Sequence, residues 1–166
     1  GTADYLNAEL SNARSEIFGR KPVVIIGYDT RFLGREFSLA VAEVLAANGL
    51  IPLLCNRDTP TPVIAFTIRK RNAIAGINMT ASHNPPEYNG LKMVLGGQTL
   101  YGEMIQDLRR RIASADYREG RGVVRHASVR QTYIDRIVGD VKLSRPMKIV
   151  IDCGNGVAGS VAPDLF

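Results

Sequence analysis

The chain has 166 residues, enough for one good hydrophobic core and at most two small ones. Its 45% apolar and 22% charged content excludes a disordered or fibrous chain and fits a globular domain. The net charge is +5, but the basic residues are not interleaved with stacking aromatics and tryptophan is absent, so nothing supports a nucleic-acid binder.

In chain order, Leu6, Leu10, Ala13 and Ile17 have helical spacing over residues 4–18, and Gly19 follows as a C-cap. Val23 to Ile26 is an unbroken β-branched run, which reads as a strand covered on both faces. Gly27 to Arg31 is its exit loop, and Phe37 to Ala47 a helix closed by Asn48-Gly49. Leu50 to Cys55 is a second strand. A further helix then runs to about Arg71, with Thr61 expected as N-cap and Pro62 at the first helical position. Ile74 to Met79 and Leu91 to Leu95 are strands three and four. Too little chain separates them for a crossover helix, so that pair is expected antiparallel.

Past the turn at Gly96-Gly97, Gly102 to Ala115 is an amphipathic helix with Met104, Ile105, Leu108 and Ile112 on one side. Residues 116–126 are polar and suggest a domain edge. Ser128 to Val138 is another helix, Met147 to Cys153 a last buried strand, and Gly154 opens a helix. Strands alternating with helices predict an α/β domain: three layers, with a mixed, mostly parallel four-stranded sheet between helices and an extra C-terminal strand and helix. The expected division is 1–126, a connecting helix and linker at 127–146, and the opening of a second domain at 147–166.

Cys55 and Cys153 each sit in an apolar run outside any CxxC, which reads as two reduced core thiols. Two histidines make a zinc site a poor reading. The clusters at 69–71 and 109–111 fall near helix ends, where cations favour the negative end of the dipole. No apolar run approaches the roughly 20 residues that cross a bilayer. Gly1 to Asp4 shows no leader pattern, so the expectation is a cytoplasmic chain without membrane or nucleic-acid partners.

The most informative stretch is Thr80-Ala81-Ser82-His83-Asn84-Pro85-Pro86-Glu87-Tyr88-Asn89-Gly90-Leu91-Lys92. It sets a hydroxyl, an imidazole, two asparagine amides and a lysine on a loop stiffened by two prolines and turned by Asn89-Gly90. A nucleophile held still on a rigid loop suits group transfer. A serine hydrolase is rejected, since neighbouring residues of an extended loop are expected to point apart and no G-x-S-x-G elbow is present.

This stretch resembles the active-site loop of the α-D-phosphohexomutases, the phosphomannomutase/phosphoglucomutase family, at every fixed position of the pattern T-[AG]-S-H-N-P-P-x-Y-N-G-x-K. The resemblance implies that Ser82 is the phosphorylated residue and that its phosphate contacts the metal. Lys92 is implied as an acid/base or charge stabiliser, His83 as support for the phosphate and Asn84 as a loop organiser. Asp29 and Arg31 match the family's D-x-R segment, with Arg31 either neutralising phosphate or pairing with Asp29. The implied reaction interconverts hexose 1- and 6-phosphates through a bisphosphate, with Mg²⁺ as cofactor and glucose 1,6-bisphosphate as activator.

Lys148 to Gly159 carries G-x-G-x-x-G, which alone satisfies a dinucleotide-binding fingerprint. Beside the Ser82 loop it reads better as the opening of the family's second domain, with glycines in a tight strand-to-helix turn. The family's aspartate-rich magnesium loop, sugar-recognition loop and phosphate-clamping loop have no counterpart here. The chain is therefore expected to have little or no turnover alone, as a fragment or a truncated or engineered piece, and a non-catalytic phosphosugar-binding scaffold is the alternative. An unpaired C-terminal strand would also invite self-association.

Overall fold

In a computed structural model, the residues described are Ala3, Ala8, 22–115 and 119–166. The expected helix over 4–18 and its Gly19 cap lie outside the described residues, apart from Ala8, which is helical. Six strands form one sheet: β1 (Val23–Tyr28), β2 (Ile51–Cys55), β3 (Ala75–Met79), β4 (Leu91–Leu95), β5 (Gln98–Thr99) and β6 (Arg125–Ala127), in the order β5-β4-β3-β1-β2-β6. β1 pairs in parallel with both β2 and β3, and β2 with β6. β3–β4 and β4–β5 are antiparallel, as the short β3–β4 connection requires.

Beyond Ala3 and Ala8, the helices of the described residues are α1 (Gly34–Ala47), α2 (Thr61–Lys70), α3 (Glu103–Ala113), α4 (Arg130–Asp140) and the one-turn α5 (Ala162–Leu165). Strand periodicity sorts the core into two sides. Val24, Ile26 and Tyr28 of β1 join Leu54, Ala75, Ile77 and Met79 against Ala42 and Leu45 of α1, with Ala3 in the same cluster. The alternate residues Val23 and Ile25 join Leu53 and Cys55 against Val63, Ile64 and Ile68 of α2. A central strand covered on both sides must be apolar at every position, which is why 23–26 shows no alternation. Each such side chain contributes about 1.5–3 kcal/mol of burial.

Small residues let α2 sit close. A Cβ built on Gly27 would lie 2.2 Å from Ile64 Cδ1, and one on Gly76 would lie 2.1 Å from Ile68 Cδ1. α2 begins one residue earlier than expected: Pro60 is its N-cap, and Thr61 is the first helical residue without a side-chain cap bond. The Thr61 hydroxyl instead accepts Nδ2–H of the buried Asn78 at 2.7 Å.

Residues 125–127, at the end of the polar stretch, form the edge strand β6, and Gly120 and Gly122 before it lie directly against α1, where a Cβ would fall 2.0 Å from Ala47 O and 2.1 Å from Ala46 O. A polar, glycine-containing stretch is also what close contact with a helix end demands. Residues 147–153 form no strand; Met147, Ile149, Val150 and Ile151 are exposed, Val150 by 98%. Their pattern has strand character, but no neighbouring strand offers them a ladder among the described residues. A 3₁₀ turn (Val157–Ser160) and α5 follow, and Val161 and Leu165 pack beside α4 in the second core cluster.

A candidate functional site at the switch point

The chain leaves β1 for β2 on one side and returns across β1 to reach β3 on the other, with α1 and α2 on opposite faces. Such a reversal opens a crevice beyond the carboxyl ends of β1 and β3, the place where open α/β sheets bind ligands. The exit loops of those two strands are residues 29–33 and the Ser82 loop. Asp29 N–H donates to Met79 O at 3.1 Å and joins them at the base.

Thr80, buried, fixes the start of the Ser82 loop. Its N–H donates to Gly90 O at 2.9 Å, and its hydroxyl accepts Ser82 N–H at 3.0 Å. Ser82 then takes φ 58°, a left-handed conformation that costs a residue with a Cβ and is held only where its surroundings impose it. The serine is exposed. Asn84 N–H donates to Ala81 O and Tyr88 N–H to Pro85 O, two turns stacked in the loop. Asn89 closes it: its Oδ1 accepts Gly90 N–H at 2.8 Å, and its Nδ2 donates to Phe32 O at 3.2 Å.

Arg31 reaches in from the other loop. Nη1 donates to Pro85 O at 2.9 Å and Tyr88 O at 2.8 Å; Nη2 donates to Ser82 O at 3.0 Å and to Asn84 O. Asp29 accepts Arg31 N–H at 2.9 Å, and its Oδ2 stands 3.8 Å from Nε, both side chains being 14% exposed. Arg31 faces Asp29, one of its two expected partners, and also four loop carbonyls that no local sequence pattern specifies. One indirect signal exists. Two consecutive prolines strip two N–H groups from the loop, so its carbonyls need a donor from elsewhere.

Ser82 and His83 do not point apart. The left-handed turn at Ser82 brings Oγ and Nδ1 to 3.5 Å, the outer limit of a hydrogen bond. Lys92 stands on β4 opposite Asn78, exposed, where β4 leaves the loop. Asp29, Arg31, Ser82, His83 and Asn84 are thus gathered at one end of the sheet. The glycine-rich segment joins them there, since Thr30 Oγ donates to Asn155 O at 3.1 Å. Asp152 Oδ1 accepts Gly154 N–H at 2.8 Å, and Gly154 has φ 52°, so this is the tight turn its glycines suggest. No strand leads into it, and a 3₁₀ turn and the one-turn α5 follow in place of a long helix, so it lacks the strand–helix frame of a dinucleotide site.

Elsewhere charge and burial act structurally. Arg110 pairs with Glu103 at 2.7 Å and Arg111 with Asp107 at 3.0 Å along α3. Burial pushes the Cys55 thiol and the Tyr28 hydroxyl above their ordinary pKa ranges. Among the described residues no three His, Cys, Asp or Glu side chains come together to hold a metal ion.

Residues 3–119 match the family described as phosphoglucomutase/phosphomannomutase, alpha/beta/alpha domain I. A phosphomannomutase/phosphoglucomutase of Pseudomonas aeruginosa is 39% identical over 150 residues, covering 88% of this chain and 31% of the relative. A phosphoglucomutase of Neisseria gonorrhoeae is 39% identical over 145 residues, 86% of this chain and 31% of the relative. The crystal structure of a phosphoglucomutase/phosphomannomutase family protein from Burkholderia thailandensis superposes with a TM-score of 0.81 at 39% identity, covering 98% of this chain and 37% of that one. The chain spans about a third of the length of the curated relatives it matches. With a domain-length match over the Ser82 loop and its supporting sheet, the chain belongs to the phosphoglucomutase/phosphomannomutase family.

Proposed function

We propose that this chain is the phosphoserine-bearing part of an enzyme that moves a phosphoryl group between the 1- and 6-hydroxyls of a hexose phosphate. The observation that carries the reading is an exposed serine, in an imposed left-handed conformation, on a braced loop at the switch point of the sheet. Phosphoryl transfer asks mainly for in-line positioning and charge neutralisation. In this reading the Oγ–P bond of phospho-Ser82 breaks as a sugar hydroxyl oxygen bonds to phosphorus. The hydroxyl's proton leaves toward a base, and Lys92, exposed where β4 leaves the loop, is the candidate to carry it or to balance the charge. The bisphosphate then reorients, and its other phosphate returns to Ser82. His83 orients the serine oxygen or its phosphate, Asn84 shapes the loop, and Asp29 and Arg31 brace it.

Magnesium prefers several oxygen ligands. Around Ser82 the described residues offer a site for the serine's phosphate and no carboxylate cluster, so they alone do not fit the ion. We take the remaining ligands, and the clamp for the sugar's distal phosphate, to lie in other parts of the enzyme, and residues 147–166 to open its second domain. No helix of the described residues is long and apolar enough to cross a membrane. A cytoplasmic site of action fits sugar-phosphate chemistry.

The test is peptide mass spectrometry after incubation with glucose 1,6-bisphosphate and Mg²⁺. One phosphate mapped to Ser82, absent in Ser82→Ala, is expected, with little or no steady-state mutase turnover. A phosphate that maps to another residue, or that Ser82→Ala still gains, would remove the reading, whereas a chain that gains none would be a scaffold for a site completed by the rest of the enzyme.

A further inference from the structure

We infer that Arg31 is a positioning residue for Ser82, holding the reactive loop from below by its carbonyls and leaving no donor for the substrate's phosphate. A guanidinium has five N–H groups. Four meet Ser82 O, Asn84 O, Pro85 O and Tyr88 O, and the fifth, on Nε, faces Asp29. Four carbonyls of one short loop converge on one point because Pro85 and Pro86 cannot supply N–H groups to them. Carbonyls so arranged repel one another unless a cation sits among them. Arg31 supplies that charge in a planar fork, and Asp29 fixes it through both the Arg31 backbone and Nε. The side chain is mostly buried, so a phosphate could reach it only by dismantling the loop. Lysine would not replace it, since an ammonium has three donors and no plane.

The inference rests on the phosphoserine reading, and its test separates the two in the full chain. Backbone hydrogen exchange is compared for wild type, Arg31→Gln and Arg31→Lys, beside the initial rate of Ser82 phosphorylation by glucose 1,6-bisphosphate with Mg²⁺. In Arg31→Gln, exchange over residues 81–90 is expected to rise about tenfold while β1 and β3 keep their protection. The maximal rate is expected to fall about 10²-fold, the scale of a small misplacement of a reacting group. The bisphosphate concentration for half-maximal rate should move less than about threefold, as for a residue that does not bind ground-state substrate. Arg31→Lys should recover little, and free guanidinium should restore part of the rate to Arg31→Ala.

Unchanged loop exchange would overturn the inference. So would a higher half-maximal concentration at unchanged maximal rate, which would make Arg31 a phosphate ligand. A phosphate that Ser82→Ala still gains sinks the phosphoserine reading instead, and where the wild-type chain gains none the exchange arm alone decides the role of Arg31. Should Arg31→Gln fail to fold by circular dichroism, Asp29→Asn takes its place, with a smaller rise in exchange over the same residues expected and no rise counting against the clamp.

Discussion

Cys55 shows how a side chain with no part in the chemistry sets a limit on conditions. The residue is 2% exposed, and burial favours the protonated thiol against the lowering effects of Thr59 and Arg71. The folded chain therefore keeps a proton that the unfolded chain releases once pH passes the ordinary thiol range, about 8.5. Stability from this group is complete below that range and falls as pH rises through it. The urea midpoint should drop between pH 7.5 and 9.5, and Cys55→Ala should flatten that slope even if its midpoint is lower throughout. At this scale the sequence was partly readable. The neutral core role of Cys55 followed from its apolar surroundings, whereas the four bonds of Arg31 did not. A side chain's reach across the fold depends on which loops the sheet brings together, and no local pattern encodes that.

Glycine contacts separate the elements by how far each can yield. A methyl group on Gly76 would meet the far end of Ile68 in α2, which can turn away. A methyl group on Gly122 would meet the carbonyl oxygen and carbon of Ala46 at 2.1 and 2.3 Å, and backbone in a helix cannot turn away. Gly76→Ala should cost about 1 kcal/mol and Gly122→Ala about 3 kcal/mol, read from denaturant midpoints at constant slope. The major helices and the four central strands were legible because apolar period and turn residues agree over many positions. β6 was not. Three residues with one buried alanine carry no period, and their strand character comes from lying beside Leu53 to Cys55. The stretch at 147–153 failed in the opposite sense: its apolar run predicts a strand, but a strand also needs a partner.

Across the whole molecule, stability is concentrated in the sheet and its two packed sides. Ile25→Ala should cost about 2–5 kcal/mol, whereas Val150→Ser, 98% exposed, should stay within about 0.5 kcal/mol. A loss at Val150 comparable to that at Ile25 would mean that 147–151 is packed against something in solution. Distance along the chain gives the Arg31 clamp a further meaning. Its bonds join residues 51, 53, 54 and 57 positions apart. At a synthesis rate of 5–20 residues per second, about 3–11 s separate the arginine from the last carbonyl it will hold. On the ribosome, therefore, Ser82 emerges before its loop can close, and it takes its final shape only after Tyr88 has followed and β3 has paired with β1. A nascent chain would carry an unready serine from the addition of Ser82 to that of Tyr88, about 0.3–1.2 s at that rate, and readiness for phosphate would mark the moment at which this half of the sheet is complete.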